Sequence, residues 1–532
     1  MLLLFLLLML LGEYALFHTE SNEFLTSDGF YYLVRPLEKW NDWATRFTRL
    51  DERDNYRPLT YVVATGLVGI GQSHLTFYHL AGLWFHMLNS LLVFWLCRLV
   101  LRSNWAGLAA AAIFGFHRTA SQISFGITFL PDQCYVAFFL LALILLFYYQ
   151  KKQQKGYYLA GFLAFLFSLL SKEPAMVFAP VLFLFGFAWM PATLSFSHRL
   201  RLAFRQTIPF FLVTILYLVW FGFLSHWKYV PQNTQHPYHL SLDSQTLASK
   251  IRYLKWAFNI RGYHDVILDH PSIAATVDRI FPETASIRIK SLSDYFMFLM
   301  GPIWLLWLMA RGKWAVMETI WQEALLTPAL TACALGLAFF VIRRMRQKDW
   351  MVAGGSALFA LPLLPVLITP SSKTMLHNLY LPVFGIAFLS AYWISRRSFE
   401  KSRLVRFMVV AIPITLALGG MNITMDLVER DWTFTTARQS RQYLADIQNM
   451  FPQLPKGSTL FLEKTGNPEW PWLLEGGNIV RFFYDDPNLK VLFGDYGYTL
   501  NFSICRNNVV CVREQGGRLV QSKCECPILA HR

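Results

Sequence analysis

The chain has 532 residues, of which 55% are hydrophobic, 16% aromatic and only 15% charged, and its formal net charge is +15. A soluble protein carries nearer a quarter charged residues, so this composition, with a mean hydropathy of +0.36, excludes an ordinary water-soluble globule and a disordered chain. The surplus of lysine and arginine fits the cytoplasmic loops of a membrane protein better than a nucleic-acid surface, and no nucleic-acid partner is expected.

Apolar runs recur at 1–17, 78–101, 105–117, 133–149, 156–171, 175–191, 207–225, 327–342, 350–369, 379–395 and 405–421, about eleven in all. They are read as spans of a hydrocarbon core about 30 Å thick. The first run starts at Met1 with no basic region before it and no small-residue cleavage site after it, the pattern of a span rather than a removed signal.

Basic clusters orient these spans. Lys151, Lys152 and Lys155 follow the fourth; Arg199, Arg201 and Arg205 the sixth; Arg343, Arg344, Arg346 and Lys348 the eighth; Arg396, Arg397, Lys401, Arg403 and Arg406 the tenth. Each falls after an even-numbered span, so the positive-inside rule places the N-terminus in the cytoplasm. Residues 292–310, apolar around Gly301–Pro302 with Trp304 and Trp307 beyond, would invert this order as a single extra span. They are therefore expected to be re-entrant or interfacial, or to form a two-helix excursion with 313–326.

The loops 18–77, 118–132 and 226–326 and the domain 425–532 then lie outside. The expected fold is an all-α polytopic membrane domain over 1–424 and a small C-terminal α/β or α+β extracytoplasmic domain over 425–532. In the latter a helix is predicted at 431–450 and short strands at 458–463, 479–484, 489–493 and 508–513, separated by turn signals such as Pro455-Lys456-Gly457. Cys97, Cys134 and Cys333 read as core thiols. Cys505, Cys511, Cys524 and Cys526 sit in the polar tail, where disulfides are favoured over zinc because Cys524-x-Cys526 lacks the usual two-residue knuckle.

Candidate chemistry gathers at the outer ends of the spans. The first outer loop holds Asp28 in Thr26-Ser27-Asp28-Gly29, then Asp51, Glu52, Asp54 and Arg57, and residues 59–72 are apolar enough to form a surface helix. Any one of these charges alone reads best as a solvated loop residue; Asp28 stands out because it falls just beyond the first span. His79 and His86 lie seven residues apart on one helical face with Asn89 below. Packing inside the bundle is the plainer reading, since metal pairs prefer closer spacing. Asp132 opens the fourth span either as an N-cap or as a second active-site carboxylate. Ser171-Lys172-Glu173-Pro174 is a turn with an ion pair, or a lysine aimed at a lipid phosphate, and Lys373 and His377 precede Tyr380-Leu381-Pro382. Carboxylates at this surface suit removal of a proton from an acceptor hydroxyl, and cations suit a departing phosphate. Two carboxylates with nearby histidines also permit a divalent metal without requiring one.

The ordered set Tyr56-Arg57-Pro58-Leu59, Tyr78-His79, Phe85-His86-x-x-Asn89, Phe116-His117, Asp132, Leu169-Leu170-Ser171-Lys172-Glu173-Pro174 and Leu379-Tyr380-Leu381-Pro382 resembles the GT-C membrane glycosyltransferases. It looks most like the branch of protein O-mannosyltransferases and transmembrane-and-tetratricopeptide-repeat mannosyltransferases, in a bacterial form without the repeats. The resemblance implies a polyprenyl-phosphate-linked sugar donor, transfer with inversion, and an extracytoplasmic protein, glycan or lipid acceptor in the cell envelope. It makes Asp28 the first-loop acid and Asp132 the second, with Arg57, Lys172 and His377 as candidate phosphate contacts. Asp51, Glu52, Asp54, His79, His86, Glu173 and Tyr380 are further candidates. Two features depart from the family: Gly29 follows Asp28 where relatives often have a second acid, and His377-Asn378-Leu379 stands where they often have arginine. A bacterial inner membrane is favoured over the endoplasmic reticulum. A transporter or flippase of lipid-linked intermediates and a noncatalytic cell-envelope partner are the competing readings.

Overall fold

A computed structural model describes residues 2–18, 25, 27–34, 43–50, 55–72, 74–190, 193–225, 314–364, 376–396, 432–463, 473–486, 488–496 and 508–524, with isolated residues between 253 and 312. Ten of the apolar runs, from 1–17 to 379–395, coincide with helices in their described parts; the run 405–421 lies outside the described residues. The helices are α1 (Leu2–Phe17), α2 (Ser27–Val34), α3 (Trp43–Thr48), α4 (Pro58–Gly71), α5 (Leu75–Leu101), α6 (Asn104–Gly115), α7 (Thr119–Ile123), α8 (Leu130–Lys152), α9 (Lys155–Leu169), α10 (Phe178–Trp189), α11 (Phe196–Leu224), α12 (Trp314–Arg346), α13 (Trp350–Ala360) and α14 (Tyr380–Arg396). Among the described residues four helical stretches, Leu75–Leu101, Gly126–Lys152, Phe196–Leu224 and Leu376–Arg396, are long and apolar enough to cross a membrane; the other apolar helices are shorter.

Local chemistry sets the helix ends. Ser103 accepts from the Ala106 amide at the start of α6, and Asp349 from the Met351 amide at the start of α13, each satisfying a donor that the first turn leaves open. Pro58 opens α4, where its missing N–H removes no helical bond. The bundle core joins residues from α5, α6, α8, α9, α10, α13 and α14. Helices approach closely where a glycine replaces bulk: a Cβ on Gly107 of α6 would lie 2.9 Å from the Phe94 carbonyl of α5, and one on Gly385 of α14 would overlap the Phe359 backbone of α13. The outward face of α11, with Leu212, Ile215, Leu216, Val219 and Phe223 exposed, suits a hydrocarbon solvent.

The basic ends of α8 and α14 are the far ends of the helices that begin beside Asp132 and His377. At the basic end Arg344 Nε donates to Asp349 Oδ2 (2.7 Å), Tyr392 Oη to the same oxygen (2.8 Å), and Arg396 Nε to Tyr392 Oη (2.8 Å). This knot ties together α12, α13 and α14. The segment 314–326 runs on into 327–342 as one helix, α12, with Pro328 inside it. It is therefore not a separate helix of an excursion, and most of 292–310 lies outside the described residues.

The C-terminal part is a four-stranded sheet of order β2-β1-β3-β4, with β1 (Thr459–Leu462), β2 (Lys490–Phe493), β3 (Val509–Gln515) and β4 (Arg518–Ser522). Strand β1 pairs parallel with both β2 and β3, and β3 pairs antiparallel with β4. Helix α15 (Trp432–Met450) lays Tyr443 and Ile447 against Leu460, Leu462 and Val512. The predicted strand 479–484 is instead a helix, α16 (Asn478–Phe483). A short apolar run fits either state, and here it is wedged between two apolar surfaces, Ile479 facing one cluster and Val480 the other. Cys511 in β3 is bonded to Cys524; Cys505 and Cys526 lie outside the described residues. Cys97 and Cys134 are buried free thiols, whereas Cys333 is exposed on α12 rather than in the core.

Candidate active site

The site is built around the start of α8. Gly126 has a positive φ of +65° and opens the 3₁₀ turn Gly126–Phe129. A Cβ on Gly82 of α5 would overlap the Gly126 backbone, so helix and turn meet with no side chain between them. Gln133 Nε2 donates to the carbonyls of Gly82 (3.0 Å) and Ile123 (2.5 Å), and Asn89 Nδ2 donates to the Gln133 carbonyl (3.1 Å). These bonds fix Asp132. It lies in the first helical turn rather than at the N-cap, which Phe129 occupies, because Pro131 takes one of the first two helical positions. A carboxylate there is favoured by the helix dipole.

Gly82→Ala is expected to push this turn off α5 and displace Asp132. Thermal stability should fall by an amount typical of overpacking, about 1–3 kcal/mol; a thermal melt in detergent that matches the wild type would contradict the backbone contact.

Asp132 Oδ2 receives a 2.6 Å bond from Lys172 Nζ, and both side chains are buried, at 5% and 10% exposure. Lys172 has an extended backbone between α9 and the 3₁₀ turn Glu173–Val177, and α9 is tied to α8 by Ser168 Oγ donating to the Tyr135 carbonyl (2.7 Å). Burial pushes the Lys172 ammonium below its ordinary pKa; the Asp132 carboxylate opposes this and the nearby Arg57 guanidinium adds to it. Arg57 holds Glu173 through a fork, Nε to Oε1 at 3.1 Å and Nη2 to Oε2 at 3.2 Å. The chain around Arg57 is docked by Leu59 N to the Leu170 carbonyl (3.1 Å) and Thr60 Oγ1 to the Ser171 carbonyl (3.0 Å). Residues from three distant stretches of the sequence, Arg57, Asp132 and the adjacent Lys172 and Glu173, thus form one charged cluster at one end of the bundle. His377 lies at its edge, with its ring against Phe129 at 5.0 Å, within range of the charges of Asp132, Lys172 and Arg57.

Asp28 lies in the first turn of α2, which packs on the turn preceding Asp132: a Cβ on the neighbouring Gly29 would lie 3.1 Å from Thr128 Oγ1. Asp51, Glu52 and Asp54 lie outside the described residues. His79 is buried, edge-on to Phe125 at 4.9 Å. His86 and Tyr380 belong to a buried knot. His86 Nε2 donates to the Gly115 carbonyl (3.0 Å), and the tautomer this requires lets Tyr380 Oη donate to Nδ1 (2.9 Å) while accepting from Asn89 Nδ2 (3.0 Å). That knot joins α5, the end of α6 and α14, and through Asn89 it reaches Gln133. Among the described residues no group of three or more His, Cys, Asp or Glu is placed to hold a metal ion.

Three contributors were not legible as site residues. Gln133 was visible only as a polar residue entering an apolar run. Phe482 and Phe483 of α16 pack on Phe30 of α2 at 5.7 and 5.8 Å, so the C-terminal domain grips the helix that carries Asp28; nothing in the sequence pairs these aromatics.

No family model matches the chain, and no curated protein does. Among solved structures it is similar to the crystal structure of ArnT from Cupriavidus metallidurans bound to undecaprenyl phosphate, with 14% identity, 96% of this chain and 92% of that chain covered, and a TM-score of 0.39.

Proposed function

We propose that the chain is an inverting GT-C-type membrane glycosyltransferase that moves a sugar, of hexosyl or mannosyl type, from a polyprenyl-phosphate donor to an extracytoplasmic acceptor. The observation that carries this reading is the Arg57, Asp132, Lys172 and Glu173 cluster, with α2 packed beside it. Cations and carboxylates at one end of an apolar bundle suit a ligand whose phosphate stays at the surface while its chain lies in lipid. In the reaction a carboxylate, assigned to Asp28, takes the proton of the acceptor hydroxyl. The acceptor oxygen forms a bond to the sugar C1 as the C1–O bond to phosphate breaks, and the phosphate leaves with the electron pair. Arg57 and Lys172 stabilise the charge that develops there. A single displacement of this kind inverts C1. The acceptor is a protein, glycan or lipid of the cell envelope, and the membrane is the bacterial inner membrane with the site on its outer side.

The test is transfer by the purified protein in detergent, with a panel of radiolabelled polyprenyl-phosphate sugars and a membrane extract as acceptor. Transfer is expected with at least one donor, and Arg57→Ala is expected to lower kcat/KM by roughly 10²–10³-fold. No transfer and no donor binding across the panel would refute the transferase reading.

A further inference from the structure

Both cations of the cluster already hold a carboxylate, so the four charges cancel. The two pairs are not equivalent. Asp132 and Lys172 are buried at 5% and 10% exposure, whereas Arg57 and Glu173 are at 17% and 22%. Breaking the more deeply buried pair strands a charge away from water, whereas the partners of the Arg57–Glu173 pair keep more access to water and are more readily resolvated when they part. Glu173 also grips Arg57 through Nε and Nη2, the fork geometry that fits a phosphate equally well. A carboxylate therefore sits where two oxygens of a phosphate would sit.

A place for Glu173 to go is nearby. Among the described residues the hydroxyl of Tyr217 on α11 is buried with no hydrogen-bond partner. Its ring lies 5.9 Å from that of Tyr56, next to Arg57 in the chain, which puts it within range of the charges of Arg57 and Glu173. A buried phenol without a partner is costly, and a carboxylate turning away from Arg57 would supply one.

We infer that Glu173 is an internal counter-ion that occupies the donor-phosphate fork of Arg57, and that it yields this fork to the incoming phosphate by turning to the Tyr217 hydroxyl. The inference rests on the reading of Arg57 as a phosphate contact. It adds a built-in competitor that balances the Arg57 charge and sets donor affinity.

The test is equilibrium binding of undecaprenyl phosphate to the full-length protein in detergent, with thermal melts confirming that each variant is folded. Glu173→Gln removes the competing charge at constant shape and is expected to tighten binding by about fivefold. Tyr217→Phe removes the second resting place and is expected to weaken binding by a few-fold, but to have no effect in the Glu173→Gln background. Glu173→Gln binding no tighter than wild type, with Arg57→Ala still losing binding, would overturn the counter-ion role and leave the phosphate site standing. A Tyr217→Phe effect that persists unchanged in the Glu173→Gln background would overturn the turning step. Arg57→Ala binding like wild type would overturn the phosphate reading and this inference with it.

Discussion

Asp132→Asn is expected to abolish transfer and to lower stability by roughly 3–5 kcal/mol, the usual consequence of leaving one member of a buried ion pair unpaired. The substitution keeps the side-chain shape, so the Gln133 and Asn89 bonds that position the start of α8 stay in place. What it removes is the negative charge 2.6 Å from Lys172 Nζ. Lys172, whose ammonium is disfavoured by burial, then loses the carboxylate that stabilises and positions it. A misplaced cation gives little to a departing phosphate. Adding Lys172→Met removes the stranded group, and the double variant is expected to recover most of the lost stability while staying inactive. Melting temperatures and transfer rates of the two single variants and the double variant separate the effects. An active double variant would show that the pair is a structural strut and that the phosphate is met elsewhere.

The membrane fold was legible because period and polarity are local. Each described apolar run became a helix, and Pro58, Ser103 and Asp349 mark starts that sequence chemistry explains. The C-terminal domain was less legible where the deciding contact is not local. The run 479–484 is a helix because α2 and the sheet claim opposite sides of it. Strand β4 carries a local signal: Gly516 and Gly517, both with positive φ, form the two-residue turn that folds 518–522 back onto β3.

The site was legible as residue types at one end of the spans, and not as pairs. The sequence sets Lys172 and Glu173 side by side, as a turn with an ion pair or as a lysine aimed at a lipid phosphate; the structure sends Lys172 to Asp132 and Glu173 to Arg57. Adjacent residues on an extended backbone point to opposite sides, so each meets a different element, a consequence visible only once α4, α8 and α9 are in place. His86 and Tyr380 are drawn together by the same long-range packing. Their mutual bond, with Asn89 and Gly115 as the other partners, has no signature in a chain where 294 residues separate them.

Asp28→Asn is expected to lower kcat by roughly 10²–10⁴-fold, the range for loss of a general base, with undecaprenyl-phosphate binding unchanged because Arg57 and Lys172 are intact. The position of Asp28 depends on its helix. At eight residues, α2 is far too short to be stable alone, so it is held by packing: Phe30 against Phe482 and Phe483, and Tyr32 against Tyr61 at 5.8 Å. Phe482→Ala with Phe483→Ala is therefore expected to lower kcat in the same direction as Asp28→Asn, but by less, and again with donor binding unchanged. In the Asp28→Asn background the two ring deletions should cost nothing further, since a loosened helix cannot misplace a base that is already gone. Transfer retained in Asp28→Asn would move the proton to another carboxylate. Ring deletions that are additive with Asp28→Asn would mean that the C-terminal domain acts on the acceptor rather than on α2.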